Sequence, residues 1–155
     1  MWSVLLLLTL PLVACVPVRT PCDDPALDAY LDWETAFLTR TNQLITDADA
    51  AMQEAAAGRS SWAEMSALHD RSSALVEDAA AMTPPDLLLE SHEARELANI
   101  AFDTALLSFA EDMADDGRLD TGLLVAAPYL QDSQSLSARA NDAYEAAWAT
   151  CGYRP

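Results

Sequence analysis

The chain has 155 residues, 52% of them apolar, and a net charge of −17 from 25 acidic and eight basic side chains. The length suits one domain. The basic residues are all arginine and are scattered, so nucleic-acid binding and docking on anionic lipid through a basic patch are disfavoured.

The first element is an apolar run, Val4 to Leu10, broken by Pro11 and again by Pro17. It is too short for a membrane span, which takes about 20 apolar residues. It fits the core of a secretion signal, about 7–15 residues long. No basic residue opens it, and the first charged side chain is Arg19. The following Leu12-Val13-Ala14-Cys15 resembles the lipobox of bacterial lipoproteins. The resemblance implies that residues 1–14 are a cleaved signal peptide and that Cys15 carries palmitate-type acyl chains. Residues 15–24 then form a lipidated tether, and the rest of the chain faces the periplasm or the cell exterior from the cell membrane or outer membrane. Val16 after the cysteine implies outer-membrane sorting in Gram-negative members of that family.

Asp24 caps a first helix, with Pro25 at its first position, where a missing N–H costs nothing. Leu27, Leu31, Glu34, Leu38, Thr41, Ile45, Ala48, Met52 and Ala55 recur at helical spacing. Tyr30, Phe37 and Leu44 widen the stripe, and Gly58 ends it. Ser61 with Glu64 reads as the capping box of a second helix, whose stripe is Trp62, Met65, Leu68, Ser72, Leu75, Ala79 and Met82. Thr83-Pro84-Pro85-Asp86 stops it and starts the third, with Thr83 as cap. The third runs to about Asp116 on Leu88, His92, Arg95, Asn99, Phe102, Leu106, Phe109 and Met113. Leu97, Ile100, Ala101 and Leu107 make its apolar face broad, and Gly117 closes it. Residues 120–127 read as a loop, a helical turn or the start of a fourth helix kinked at Pro128, and that helix is clear from Tyr129 onward. No stretch alternates with period two for long enough to make a strand.

Four helices with short links predict an all-α, antiparallel up-down-up-down four-helix bundle over residues 25–151, with 152–155 as a tail. Such a bundle brings the start of helix one and the end of helix four together. Cys22 lies just before the first and Cys151 just after the last. With Cys15 assigned to lipid by the lipobox resemblance, these two remain for a disulfide in an oxidising compartment. Free thiols and an intermolecular bond are the alternatives.

Candidate chemistry is sparse. His92 and Glu96, one turn apart, are a candidate ligand pair for a cation. Asp112, Asp116 and Asp120 fall on ligand positions of a calcium-type loop with Gly117 at its glycine, but Ala114 and Leu123 stand where carboxylates belong. A solvated acidic turn is the plainer reading of that run. Glu34 lies on the core stripe, where a carboxylate needs a partner such as Arg95. His69 and Asp70 are neighbours that a helix points apart. There is no nucleophile elbow, phosphate loop or zinc spacing, and no cofactor is expected beyond the lipid. Pro84-Pro85-x-x-Leu88-x-x-x-His92 is similar to a helix start in small uncharacterised helical lipoproteins of bacteria. The leading expectation is a non-enzymatic interaction or scaffold module held at the membrane, meeting an envelope protein partner. The runner-up is a small-ligand or divalent-cation binder. Oligomeric state is left open.

Overall fold

The structure, a computed structural model, describes residues 21–59, 61–115 and 120–152. Cys15 and the signal-like run therefore lie outside the described residues. Four helices make up the fold: α1 Pro25–Ala56, α2 Trp62–Ala81, α3 Leu89–Asp115 and α4 Asp120–Thr150. Single 3-10 turns sit at Pro21–Asp23 and Asp86–Leu88. There is no strand among the described residues, and the fold is an all-α bundle.

The helix ends follow local chemistry. Asp24 accepts a hydrogen bond from the Ala26 amide at 2.9 Å and so satisfies one of the unpaired donors of the first turn. Ser61 and Glu64 form a reciprocal capping box at the start of α2. At the end of α1 the chain turns through Gly58 at φ +71°, where a side chain would be strained. The Arg59 amide then reaches back to the Glu54 carbonyl and the Gly58 amide to that of Ala55, which satisfies the last carbonyls.

One boundary differs from expectation, and one that the sequence left open is helical. Thr83 caps nothing: α2 ends at Ala81, and a 3-10 turn at Asp86–Leu88 precedes α3. Pro84 forces Thr83 out of the helical region, and the two prolines supply no N–H to continue a ladder. Of the readings open for residues 120–127, helix holds. α4 begins at Asp120 and carries Pro128 inside it. Ala126 is fully buried beside that proline and Leu130 packs on the core, so tertiary contact holds a segment whose own propensity is poor.

Side-chain ladders give the directions. Arg40 pairs with Asp78, and Arg71 with Asp47 at 2.7 Å, so α2 runs back along α1. Ser73 bonds Asp103 at 3.0 Å, and His92 bonds the Ala79 carbonyl at 3.2 Å, so α3 reverses again. Ser91 bonds the Ala140 carbonyl near one end of the last hairpin and Asp112 the Gly122 amide near the other. The topology is thus up-down-up-down. α3 packs most closely on α4 and next on α2, helped by Ala94, Ala98, Ala105 and Ala110 on its buried side. α1 and α4 stand further apart.

The main core joins Phe37, Leu44, Met65, Leu75, Leu106, Phe109 and Met113. A smaller cluster of Leu27, Tyr30 and Leu88 lies near the chain ends. The buried face of α1 is rotated from the sequence stripe: Leu27, Tyr30, Glu34, Phe37, Leu44 and Ala48 are inside, while Leu38 and Ile45 are exposed. Cys22 and Cys151 stand at disulfide distance, with Sγ atoms 1.95 Å and Cα atoms 5.8 Å apart. No described helix is long and apolar enough to cross a membrane.

Candidate functional site

A layer of polar side chains crosses the bundle where an apolar core would be expected. Glu34 of α1 and Arg95 of α3 face each other, both buried, with Arg95 Nη2 3.3 Å from Glu34 Oε1. The contact is ionic without being a hydrogen bond: Glu34 Oε1 and Arg95 Nε find no hydrogen-bond partner. Arg95 Nη2 also reaches Ser91 Oγ at 3.5 Å, and Ser91 donates to the Ala140 carbonyl of α4 at 2.9 Å. One turn away, the Tyr30 hydroxyl donates to His92 Nδ1 at 3.0 Å. His92 Nε2 donates to the Ala79 carbonyl of α2, because a carbonyl only accepts. All four helices are thus tied through one buried layer.

Burial controls the protonation of this layer. It pushes the Glu34 carboxyl above the usual carboxylate range, against the pull of Arg95. It pushes the Tyr30 phenol upward, reinforced by Glu34. It holds the His92 imidazole below its usual range, and the hydrogen bond to Ala79 and the nearby Glu96 charge oppose that shift only in part. The resulting state is a neutral histidine with both ring nitrogens engaged.

Glu96 stands one turn further along α3, and both ring nitrogens of His92 lie within hydrogen-bond distance of protein groups. Asp112 Oδ2 accepts from the Gly122 amide at 2.7 Å, which makes it a cap for the first turn of α4. Asp116 and the side chain of Asp120 lie outside the described residues. Among the described residues, no three metal-ligating side chains converge.

His69 gathers a serine and an aspartate but not a triad. Its Nε2 lies 3.4 Å from Ser73 Oγ and 3.7 Å from Asp103 Oδ1, while Ser73 donates directly to Asp103. A relay needs the acid on one ring nitrogen and the nucleophile on the other. Here both sit at the same nitrogen.

Two surfaces remain as candidates. The first is a groove of about 240 Å³ between α1 and α4, floored by α3. Phe37, Leu38, Ile45 and Phe102 supply apolar walls, and Arg95 and Asn99 the polar floor. Thr41 Oγ1 and Arg95 Nε are buried there without a partner, which leaves two polar groups unsatisfied.

The second surface is the exposed side of α3. Leu97, Ile100 and Leu107 are 39–49% exposed, and Val125 and Tyr129 of α4 are 49% and 38% exposed. On α3 the three share one side of the helix. Ser91–Ala140 and Asp112–Gly122 fix the hairpin register, which sets Tyr129 about level with Asp103 and Val125 about level with Leu107. Arg139, on the same shoulder of α4 as Val125, reaches across to Glu90 of α3 at 3.2 Å. Ile100 and Leu107 lie on the Asp103 flank of α3, which faces α2, so the α3 stripe stands apart from Val125 and Tyr129.

No family model, curated protein or solved structure matches this chain.

The Glu34–Arg95 contact was visible in the sequence as a carboxylate and a guanidinium on two core stripes. Tyr30 and Ser91 were not singled out as polar partners. Their signal was present: His92 and Arg95 at core positions require donors and acceptors from facing helices.

Proposed function

We propose that this protein is a lipid-anchored envelope protein and a non-enzymatic interaction module, which presents the exposed face of α3 to a protein partner. The observation that carries the reading is the exposed apolar surface left after the bundle has assembled. Contiguous exposed apolar side chains mark interaction sites, and Leu97, Ile100 and Leu107 share one exposed side of α3. The lipobox-like Leu12-Val13-Ala14-Cys15 supports attachment through Cys15. The wrong-sided His69 arrangement and the fully engaged His92 support a role without catalysis.

A photo-reactive residue at position 100 of the full chain tests this in cells. A discrete adduct, lost when the same residue is placed at position 59, is the expected result. Uniform, unsaturable labelling would count against the face. Cys15→Ala should release the chain from the membrane fraction and abolish incorporation of a palmitate analogue.

One observation favours a second reading. The groove over Arg95 offers unpaired buried donors inside apolar walls, as sites for small polar molecules do. A bound acceptor there would satisfy Arg95 Nε without displacing Glu34.

A further inference from the structure

The exposed apolar stripe of α3 is bordered by acidic side chains. On α3, Glu93 and Glu111 share the side that carries Leu97, Ile100 and Leu107, and Glu96 flanks it. Arg139 of α4 reaches Glu90, one turn before Glu93 on α3. From Leu97 to Leu107 the apolar stripe runs about 15 Å, or about three helical turns.

The charge decides among occupants. A second copy of the chain would bring a second net charge of −17 and a second acidic rim against the first. An anionic bilayer is repelled in the same way. A basic segment meets attraction at the rim and an apolar strip at the centre. A helix presents that combination when apolar side chains recur every three or four residues and lysine or arginine fills the rest.

We infer that the exposed face of α3 that carries Leu97, Ile100 and Leu107 binds a basic amphipathic helix. The inference rests on the interaction-module reading and names the partner class for that face. Leucine-type side chains of the partner cover Leu97, Ile100 and Leu107. Its basic side chains pair with Glu93, Glu96 and Glu111 around them. Rim charges of this kind act mainly on association rate and specificity, while the apolar centre sets the residence time.

The test uses the full chain in phosphatidylcholine nanodiscs, with empty nanodiscs as background. Three 14-residue peptides share one leucine pattern at helical spacing. They carry lysine, glutamine or glutamate at the remaining positions. The lysine peptide should bind at least tenfold more tightly than the glutamine peptide, and its affinity should fall as salt rises. The glutamate peptide should not bind. Leu97→Ser with Ile100→Ser, both at exposed positions, should weaken the lysine peptide at least tenfold with the helical signal intact. Leu124→Ser, on the far side of α4, should leave binding unchanged.

Equal binding of the lysine and glutamine peptides, lost in the double variant, would overturn the basic class while leaving the face as an interaction surface. Binding of the lysine peptide that persists in the double variant would overturn the placement. No binding by any peptide would overturn both the inference and the face.

Discussion

Glu34 and Arg95 allow a quantitative test of the buried layer. Their side chains are 5% and 10% exposed and 3.3 Å apart. At an effective dielectric constant of about 20, unit charges at that distance attract by about 5 kcal/mol. Desolvation costs several kcal/mol for each ion, so the pair comes out near neutral in total. Breaking it is another matter. Glu34→Leu leaves a buried guanidinium unpaired, and Arg95→Met leaves a buried carboxylate. Each single variant should lose about 3–5 kcal/mol in urea unfolding. The double variant should recover most of that loss, because two apolar side chains of similar volume replace both charges. The coupling between the two positions should then be several kcal/mol. Single losses below about 1 kcal/mol with no coupling would refute the reasoning, since they would mean that water already screens both groups.

Three further outcomes follow from named contacts. A disulfide closing a separation of 129 residues is worth about 5 kcal/mol in the chain-entropy model, so reduction should lower the melting midpoint by about 15–20 °C. An unchanged midpoint under reductant would show that the cysteines are not bonded in solution. Burial keeps His92 below its ordinary range, so below pH 6.5 the unfolded chain binds the extra proton. Its contribution to stability is then lost as pH falls, at up to about 1.4 kcal/mol per pH unit. Glu34, shifted upward, acts in the opposite sense above about pH 4.5, so the comparison is wild type against His92→Gln, whose unfolding curves should converge between pH 7 and 5.5. Finally, a Cβ on Gly122 would stand 2.9 Å from Asp112 Cβ. Gly122→Ala should therefore destabilise by about 1–3 kcal/mol, despite alanine's better helix propensity, and an upward shift in midpoint would refute that close packing.

Much of this architecture was legible from residue order. The caps at Asp24 and Ser61, the glycine turn at Gly58 and the helical stripes all obey local rules, and local rules are what a sequence displays. The pairing of Glu34 with Arg95 was also legible, since a buried charge leaves few options. Other features were set by packing between helices. α3 is apolar on two sides, so its sequence has no dominant period to say which side faces out. Leu38 and Ile45 sit on the expected stripe of α1 yet face the groove, because α4 stands too far from α1 to cover them. The helical state of residues 120–127 depends on Ala126 meeting the core, a contact that Pro128 hides from any propensity argument. The partners of His92, the Tyr30 hydroxyl and the Ala79 carbonyl, come from two other helices, and no local pattern places them.

A bond between Cys22 and Cys151, which stand at disulfide distance, also changes what a protease can do to this chain. It makes the bundle a covalent ring. A single cut in the turn between α1 and α2 opens the ring but releases no fragment, and every helix keeps its neighbours. Such a nicked molecule would run as one species without reductant and as two with it. Two cuts are needed to free a helix, so a first cleavage need not end the working life of the protein.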